Sequence, residues 1–266
     1  MNPAARELYA SIAVALARVD EPRVSDQGIH EARRALKKAR AALRLLRPGL
    51  DAAAYRAENA LLRDAGRALA PLREAGALLA ALEALRGRDG DALPRAALAG
   101  LERRLRAAKA RVAADPAARR SALETCIRLL RHSLERAARA DFAAMDKAPL
   151  ARGMRRIYRK GRRAMAQARS SGTPEALHEW RKQAKYLLNA LETLHGARKG
   201  SAGKAARRLE RLADRLGDHH DLDALARRAR GPLQAAIAQR RARLRKKALA
   251  LGGKVYRQKA KRFRVA

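Results

Sequence analysis

The sequence contains one helical segment twice: residues 29–46 read IHEARRALKKARAALRLL and residues 177–194 read LHEWRKQAKYLLNALETL. At a spacing of 148 residues the two copies agree in residue type at Ile29/Leu177, His30/His178, Glu31/Glu179, Arg33/Arg181, Lys37/Lys185, Leu43/Leu191 and Leu46/Leu194. Further along, LLRDAGRALAPLRE at 61–74 parallels RLERLADRLGDHHD at 208–221 with a spacing of 147 residues. A long internal repeat indicates a duplicated structural unit, so the sequence predicts two tandem copies of one helical bundle.

Helices are expected throughout the 266-residue chain. Apolar residues recur at i, i+3, i+4 and i+7 in almost every long segment, aromatic residues make up only 3%, and no window alternates convincingly between apolar and polar residues. We therefore expect an all-α fold. The expected helices include one across 52–85 that bends near Pro71, one across 117–145, and one with Thr173 as its N-cap and Pro174 at its first position.

The run from Leu8 to Ala17 is apolar and has the length of a signal-peptide core. However, Glu7 precedes it, Arg18 follows it, and its apolar side chains recur at helical spacing. We interpret this run as the first helix of a bundle, and a cleaved signal peptide is the alternative.

Charge and cysteine content restrict the class of protein. The chain has 62 Lys and Arg residues against 26 Asp and Glu residues, which gives a net charge of +36. Such a charge opposes compaction and attracts polyanions. The single cysteine, Cys126, cannot form an internal disulfide, so nothing indicates an oxidising compartment and we expect a cytoplasmic protein. No stretch of about 18 apolar residues is present, so no membrane span is predicted.

The first copy of the repeat carries a row of basic side chains on one helix face. At about 100° per residue, an arc of about 80° contains His30, Arg33, Lys37, Arg40 and Arg44, and we call these five residues the cationic row. Like charges one turn apart destabilise a helix by about 0.2–0.5 kcal/mol per pair. We interpret the row as a polyanion-binding surface, and a merely solvated row is the alternative.

The second copy retains only the beginning of this row. Its candidate contacts are His178, Arg181 and Lys185 at equivalent angles, with Lys182 to the side. Leu188 and Glu192 replace the last two cations, so the second copy has a shorter cationic face. Other pairs one turn apart face either the same space or solvent, and these are Arg63 and Arg67, Arg211 and Arg215, and Tyr158 and Arg162.

With these motifs the sequence resembles the CHAD family, the conserved histidine alpha-helical domain. The resemblance rests on HEARRALKK and HEWRKQAK, on RALAPLRE and RLGDHHD after them, on YRKGRR, and on the terminal KVYRQKAKRF. It covers nearly the whole chain and implies a single domain, 1–266, made of two tandem four-helix bundles related by pseudo-twofold symmetry. We place the bundles at 1–148 and 149–266. The resemblance also implies a basic cleft between them, binding of inorganic polyphosphate, and association with polyphosphate granules.

Sequence motifs for catalysis are not recognised. The chain has no P-loop, GxSxG or HExxH motif, and it lacks the ExExK motif of the triphosphate-hydrolysing domain fused to some CHAD proteins. We therefore expect a non-catalytic binding protein without a cofactor or metal. DHHD at 218–221 is interpreted as an acidic turn at a helix N-terminus, because adjacent helical residues diverge by about 100° and suit one metal poorly. Trp180 is assigned to the core.

Nucleic acid is the main alternative ligand. A charge of +36 permits it, although the sequence shows no helix-turn-helix, zinc finger or aromatic platform on which bases would stack. An enzyme acting on polyphosphate and a protein that binds anionic membranes are weaker alternatives. The sequence does not indicate the oligomeric state.

Overall fold

The computed structural model describes residues 2–89, 93–139, 147–196, 200–260 and 263. Within these ranges the chain forms α-helices and a 3-10 turn at Arg47–Gly49 without any strand, which confirms the expected all-α fold. The helices are α1 Pro3–Val19, α2 Asp26–Leu46, α3 Ala52–Ala68, α4 Ala70–Asp89, α5 Arg95–Ala113, α6 Pro116–Arg139, α7 Lys147–Ser171, α8 Pro174–His195, α9 Gly200–Ala226 and α10 Pro232–Val255. Of the helix expected across 117–145, the part up to residue 139 is confirmed as α6, and residues 140–145 lie outside the described ranges. In the part of the chain that is described, no helix has the length and apolar character needed to cross a membrane.

The two copies of the repeat form α2 and α8, and both helices begin in the same way. The hydroxyl of Ser25 accepts a hydrogen bond from the amide of Gly28 (2.9 Å), and the hydroxyl of Thr173 accepts one from the amide of Ala176 (3.3 Å). Ser25 and Thr173 are equivalent positions of the repeat. The predicted N-cap at Thr173, with Pro174 in the first turn, is confirmed. Since a hydroxyl cap satisfies an otherwise unpaired amide at the same register in both copies, equivalent side chains project from equivalent turns.

The expectation of one bent helix across 52–85 is wrong, because α3 and α4 are separate helices with Leu69 between them. Pro71 lies in the first turn of α4, where an amide would have no partner within the helix. In a continuous helix the proline ring would clash with the carbonyl of Arg67. That carbonyl instead accepts a hydrogen bond from the amide of Leu69. The break lets α4 leave α3 and pack against α5 and α9.

Apolar side chains form two clusters. The larger joins α1, α2, α3, α6, α7, α8, α9 and α10, and it contains Leu8 of the expected first helix and Trp180, which has no exposed surface. The predicted core position of Trp180 is confirmed. The smaller cluster joins α4, α5, α9 and α10. Both clusters take side chains from residues before and after 148. The division into bundles at 1–148 and 149–266 and the pseudo-twofold symmetry between them stay predictions.

Helix α2 packs against α1, α3, α4, α7 and α8. Its buried flank is rich in small side chains such as Ala32, Ala35 and Ala39, so neighbouring helices can approach its backbone closely. The cationic row lies beside this flank, and α8 covers part of it. The packing of α2 therefore brings the first copy of the repeat against the second.

The crossing of α7 and α2 generates a stability prediction. A Cβ at Gly153 would overlap the carbonyl oxygen of Leu45, whereas a Cβ at Gly87 would meet nothing within 4 Å. We predict that Gly153→Ala lowers the free energy of unfolding by about 1–3 kcal/mol in urea denaturation, because the helices must separate. Gly87→Ala is the control and should stabilise the protein by up to about 1 kcal/mol through helix propensity. Equal stabilisation by both changes would show that α7 and α2 do not touch at this position.

Candidate anion-binding site

Cations from both copies of the repeat meet where α2 packs against α8. Lys37 of α2 faces Arg181 and Lys185 of α8, and also Arg33 of its own helix. Partial burial, followed by the repulsion of these three cations, lowers the pKa of Lys37 to about 8. Arg33 and Arg181 are equivalent positions of the repeat, as are Lys37 and Lys185. We call these four residues the central cluster, and in it the cationic faces of the two copies come together.

The two arginines of the central cluster are positioned by glycines on neighbouring helices. Arg33 Nη1 donates a hydrogen bond to the carbonyl of Gly66 on α3 (2.6 Å). Arg181 lies over Gly217 on α9, where an added Cβ would be 3.6 Å from its Nε. The Nε of Arg181 is buried and has no hydrogen-bond partner within the described ranges. Because an unpaired buried donor costs about 1–3 kcal/mol, an anion that accepts a hydrogen bond from this Nε would be favoured.

Each histidine of the repeat faces a basic or imidazole side chain from the segment that follows its own copy, which is 61–74 for the first copy and 208–221 for the second. His30 faces Arg73 of α4. His178 stands against His220 of α9, with the two Nδ1 atoms 3.2 Å apart and the ring centroids 4.5 Å apart. Arg73 and His220 are equivalent positions, 147 residues apart. Neither residue was among the predicted contacts, although the parallel between RALAPLRE and RLGDHHD was the signal that could have found both.

Burial keeps these histidines neutral near pH 7. Burial first and His220 next lower the pKa of His178 to about 4. Burial and Arg181 lower the pKa of His220, while burial and Arg73 lower the pKa of His30. Between the two neutral rings of the His178–His220 pair, one Nδ1 donates and the other accepts. A bound anion would raise these pKa values, since it stabilises the charged imidazolium.

The interpretation of residues 218–221 as an acidic turn at a helix N-terminus is wrong, because they lie in α9 close to its C-terminal end. The helical rotation of about 100° per residue sends the two histidines in different directions. His220 faces the central cluster, whereas His219 is buried beside Arg241 and Asp223. Across the described ranges, no group of three or more His, Cys, Asp or Glu side chains has an arrangement that could hold a metal ion.

Helix α9 also presents carboxylates to the cations. Asp214, Asp218 and Asp221 are spaced four and three residues apart, so they share one helix face within about 60°, and we call them the acidic face. Asp221 faces Arg181 and Lys37, and burial raises its pKa. The other two form ion pairs, Asp214 with Lys185 (3.9 Å) and Asp218 with Arg88 (2.7 Å) and Arg215 (3.6 Å). The acidic face offsets part of the repulsion in the central cluster. Its helical spacing in the sequence was a signal that could have predicted it.

Arg40 and Arg44 continue the cationic row along α2, away from the central cluster. The guanidinium of Arg44 lies 3.8 Å from the ring centroid of Tyr186, and that of Arg40 lies 5.9 Å from it. Tyr186 is buried, and the Nε of Arg40 donates weakly to the side chain of Asn59 (3.4 Å). Arg44 Nη1 donates a hydrogen bond to the carbonyl of Arg40 (2.7 Å). Stacking on a ring fixes the plane of the guanidinium, and its remaining N–H groups can donate to an anion.

The other predicted site residues, which stay predictions, lie outside the central cluster. Arg63 and Arg67 form ion pairs with Asp64 (2.8 and 3.4 Å), and Lys182 pairs with Glu179 (2.5 Å). Arg162 and Arg211 are exposed on α7 and α9, and Arg215 shares Asp218 with Arg88. Arg63 is near enough to Arg40 to contribute to lowering its pKa. These residues therefore surround the site but carry partners of their own or face solvent.

Tyr158 lies in the core, and Arg162, with which it was paired, is near enough to act on its pKa. Tyr158 has no exposed surface. Its hydroxyl donates to the carbonyl of Gln258 (3.0 Å), and its ring stacks on Phe263 with centroids 3.9 Å apart. Tyr158 thus ties the C-terminal segment to α7, and we do not include it among the proposed contacts.

Comparison with known proteins agrees with this fold. The sequence pattern of the family described as "CHAD domain" matches residues 5–230, so the chain belongs to the CHAD family. Among solved structures, PptA from Streptomyces chartreusis is 18% identical over 96% of this chain and 98% of that chain, with a TM-score of 0.60. The CHAD domain from the plant Ricinus communis is 20% identical over 97% of this chain and 87% of that chain, with a TM-score of 0.53. At these identities the two structures show a shared fold. No curated protein sequence matches the chain.

Removing the Lys37 charge should stabilise the free protein. Because the folded pKa of about 8 lies below the ordinary value of 10.5, the charged lysine destabilises the folded state at pH 7. We predict that Lys37→Met raises the Tm at pH 7 and low salt by about 2 °C. The difference should shrink as the pH rises from 8 to 10.5, since wild-type Lys37 then loses its proton. Lys38→Met, one residue away, is the control, because Lys38 is not among the cations that lower the pKa of Lys37. An unchanged or lower Tm for Lys37→Met would argue against repulsion in the central cluster.

Proposed function

We propose that this protein binds inorganic polyphosphate without converting it, and that the phosphate chain lies over the central cluster between α2 and α8. The proposed contacts are His30, Arg33, Lys37, Arg40 and Arg44 from the first copy and His178, Arg181 and Lys185 from the second. The observation that carries the proposal is the meeting of like charges from both copies around Lys37. A polyanion would replace this repulsion with attraction, and a chain of phosphoryl groups can follow the row along α2.

The donor chemistry of the site favours phosphate. Arginine offers a planar fork that can donate two hydrogen bonds to one phosphoryl group, and lysine adds a compact charge. Arg181 has a donor without a partner among the described residues. Membership of the CHAD family supports the same ligand, because the resemblance in the repeated motifs implies polyphosphate.

Nucleic acid remains the second candidate because the net charge of +36 attracts any polyanion. Proteins that bind single strands without sequence preference stack bases on aromatic rings. Here the ring of Tyr186 is buried and carries the guanidinium of Arg44, and the ring of Tyr55 is buried and carries that of Arg47 (4.4 Å). These rings are therefore occupied by the protein's own arginines, which favours polyphosphate over nucleic acid.

We further propose a location in the cytoplasm, where the site would hold the protein on polyphosphate granules. The sequence shows no catalytic motif among the cations, so we expect binding without turnover. Release of phosphate from polyphosphate in the presence of a divalent metal would contradict the non-catalytic proposal.

The quadruple variant His30→Ala/Arg33→Ala/His178→Ala/Arg181→Ala tests the site. We predict that it binds long-chain polyphosphate at least about tenfold more weakly at fixed salt, because it removes charge and donors from both copies. Titration of fluorescently labelled polyphosphate measures the change. The matched control is Arg120→Ala/Arg128→Ala/His132→Ala/His195→Ala, which removes the same residue types from exposed positions.

Wild-type affinity in the quadruple variant, or an equal loss in the control, would reject this site. A competition experiment addresses the second candidate. Displacement of polyphosphate by duplex DNA or RNA at equal phosphate concentration would show that the protein does not select polyphosphate.

The affinity for polyphosphate should increase as the pH falls from 7 toward 5. The pKa of His178 in the free protein is about 4, and a neighbouring polyanion raises it, so the complex holds more protons in this pH range and binding takes up protons. Isothermal titration at constant salt, together with the NMR pKa of His178 with and without ligand, measures the effect. His178→Gln should flatten the profile. An affinity that does not change or that decreases between pH 7 and 5 would contradict a histidine contact.

A further inference from the structure

Lys37 differs from its equivalent in the second copy, Lys185, in having no carboxylate partner. Lys185 forms an ion pair with Asp214 (3.9 Å). Lys37 forms no ion pair within the described ranges, although Asp221 and His220 of α9 are near enough to interact with it. Lys37 is also exposed to solvent. An accessible amine therefore lies in surroundings that disfavour its charge.

The amine of Lys37 is neutral far more often at pH 7 than an ordinary lysine amine. Its pKa of about 8 leaves about 10% of the amine neutral, whereas the ordinary value of 10.5 leaves about 0.03%. Only the neutral amine has a lone pair that can attack an electrophile, and a lysine that is desolvated beside other cations is an activated nucleophile. The position therefore offers a nucleophile as well as a charge.

Guanidinium groups approach this amine from two helices. Arg33 precedes Lys37 by one turn of α2, so the two side chains are neighbours on one helix face. Arg181 faces Lys37 from α8, and its Nε has no hydrogen-bond partner in the part of the chain that is described. Both guanidinium groups can donate hydrogen bonds to phosphate oxygens. The central cluster thus combines phosphate donors and a nucleophile in one place.

We propose that Lys37 is an acylation site whose reagent is an acyl phosphate, the mixed anhydride of a carboxylic acid and phosphoric acid. Arg33 and Arg181 hold the phosphate group, and the acyl carbon, which only the bridging oxygen separates from the phosphorus, then lies beside the Nζ of Lys37. Holding two reactants together in this way raises the rate of their reaction. The inference rests on the proposed function, because both need phosphate to bind at the central cluster.

The transfer needs no reactant besides the amine and the acyl phosphate. The lone pair of Nζ forms a C–N bond to the carbonyl carbon, and the bond between this carbon and the bridging oxygen breaks with its electrons on the oxygen. The proton that the amine loses goes to the departing phosphate. Acetyl phosphate thus yields an acetyl-lysine amide and hydrogen phosphate. The two guanidinium groups stabilise the negative charge that grows on the leaving oxygen.

Acylation at this position would regulate the binding of polyphosphate. An amide carries no charge, so the modified protein loses one cationic contact at the centre. For a flexible polyanion this loss lowers the affinity about fivefold at 0.1 M salt. Lys37→Gln, which resembles the amide, should show this decrease, and Lys38→Gln is the control. An unchanged affinity of Lys37→Gln would overturn the regulatory role.

The site is tested by incubating the full chain with acetyl phosphate at pH 7 and measuring acetylation of each lysine by mass spectrometry. Lys37 should react at least about tenfold faster than Lys38, which lies about 100° away on the same helix. The acetyl ester of N-hydroxysuccinimide is the matched reagent, because it transfers the same group without a phosphate. Inorganic phosphate should slow the reaction of Lys37 with acetyl phosphate and leave its reaction with the ester unchanged.

The variant Arg33→Gln/Arg181→Gln separates the binding of phosphate from the reactivity of the amine. Its loss of cations makes Lys37 less nucleophilic toward both reagents, but the rate with acetyl phosphate should fall at least about tenfold more than the rate with the ester. The control is Arg120→Gln/Arg128→Gln at exposed positions on α6, which should change neither rate. The competition by inorganic phosphate needs only the wild-type protein and decides the question if the variant does not fold.

Each outcome distinguishes this inference from the proposed function. Equal rates at Lys37 and Lys38 with acetyl phosphate would overturn the acylation site. An equal decrease with both reagents in the arginine variant, or no effect of inorganic phosphate, would show that the cluster does not hold the reagent and would overturn it as well. If polyphosphate binds as proposed while Lys37 reacts like Lys38, the inference alone is rejected. Protein that shows neither polyphosphate binding nor phosphate-dependent acetylation would reject both.

Discussion

Like charges repel each other where α2 packs against α8, and the rest of the structure must hold them together against this repulsion. Lys37 faces Arg181, Arg33 and Lys185, and the repulsion of these cations adds to the effect of burial in lowering the pKa of Lys37. The apolar flanks of the same two helices hold the charges together, because burial of Leu43, Trp180 and their neighbours is favourable by about 25 cal/mol per Å² of apolar surface. The charged side is screened by salt, whereas the apolar side is not. The apolar core therefore holds the repulsive surface in place, and the stability of the core does not come from the charges.

The protein neutralises this surface only in part. The acidic face of α9 stands opposite the central cluster, and the carbonyl of Gly66 accepts a hydrogen bond from Arg33. An incoming anion must compete with these internal acceptors, so part of its attraction to the centre is offset. The cationic row is thus balanced at the centre by carboxylates, and along α2 the ring of Tyr186 lies against the guanidinium of Arg44.

The two copies of the repeat are alike in their first turns and different in their last. Equivalent hydroxyl caps at Ser25 and Thr173 start both helices, and Arg73 and His220 occupy equivalent positions toward the two histidines. After Lys185, however, the second copy replaces cations with Leu188 and Glu192. Tyr186 instead provides the ring on which Arg44 of the first copy stacks. The duplication thus places equivalent residues of both copies at the centre, whereas the cationic path extends along α2 alone.

The sequence by itself determined the helical class, the repeat, the cap at Thr173 and the cationic row, because each of these depends on residues within a few turns of one helix. It predicted a bend at Pro71 where the chain divides into two helices, since the pattern of apolar residues continues on both sides of Leu69. Only the tertiary structure decided that Arg73, His220 and Asp221 join the centre, and that Tyr158 is buried under the C-terminal segment. These contacts join residues far apart in sequence. Helical periodicity fixes the face on which a side chain lies, but the packing of whole helices fixes what that face meets.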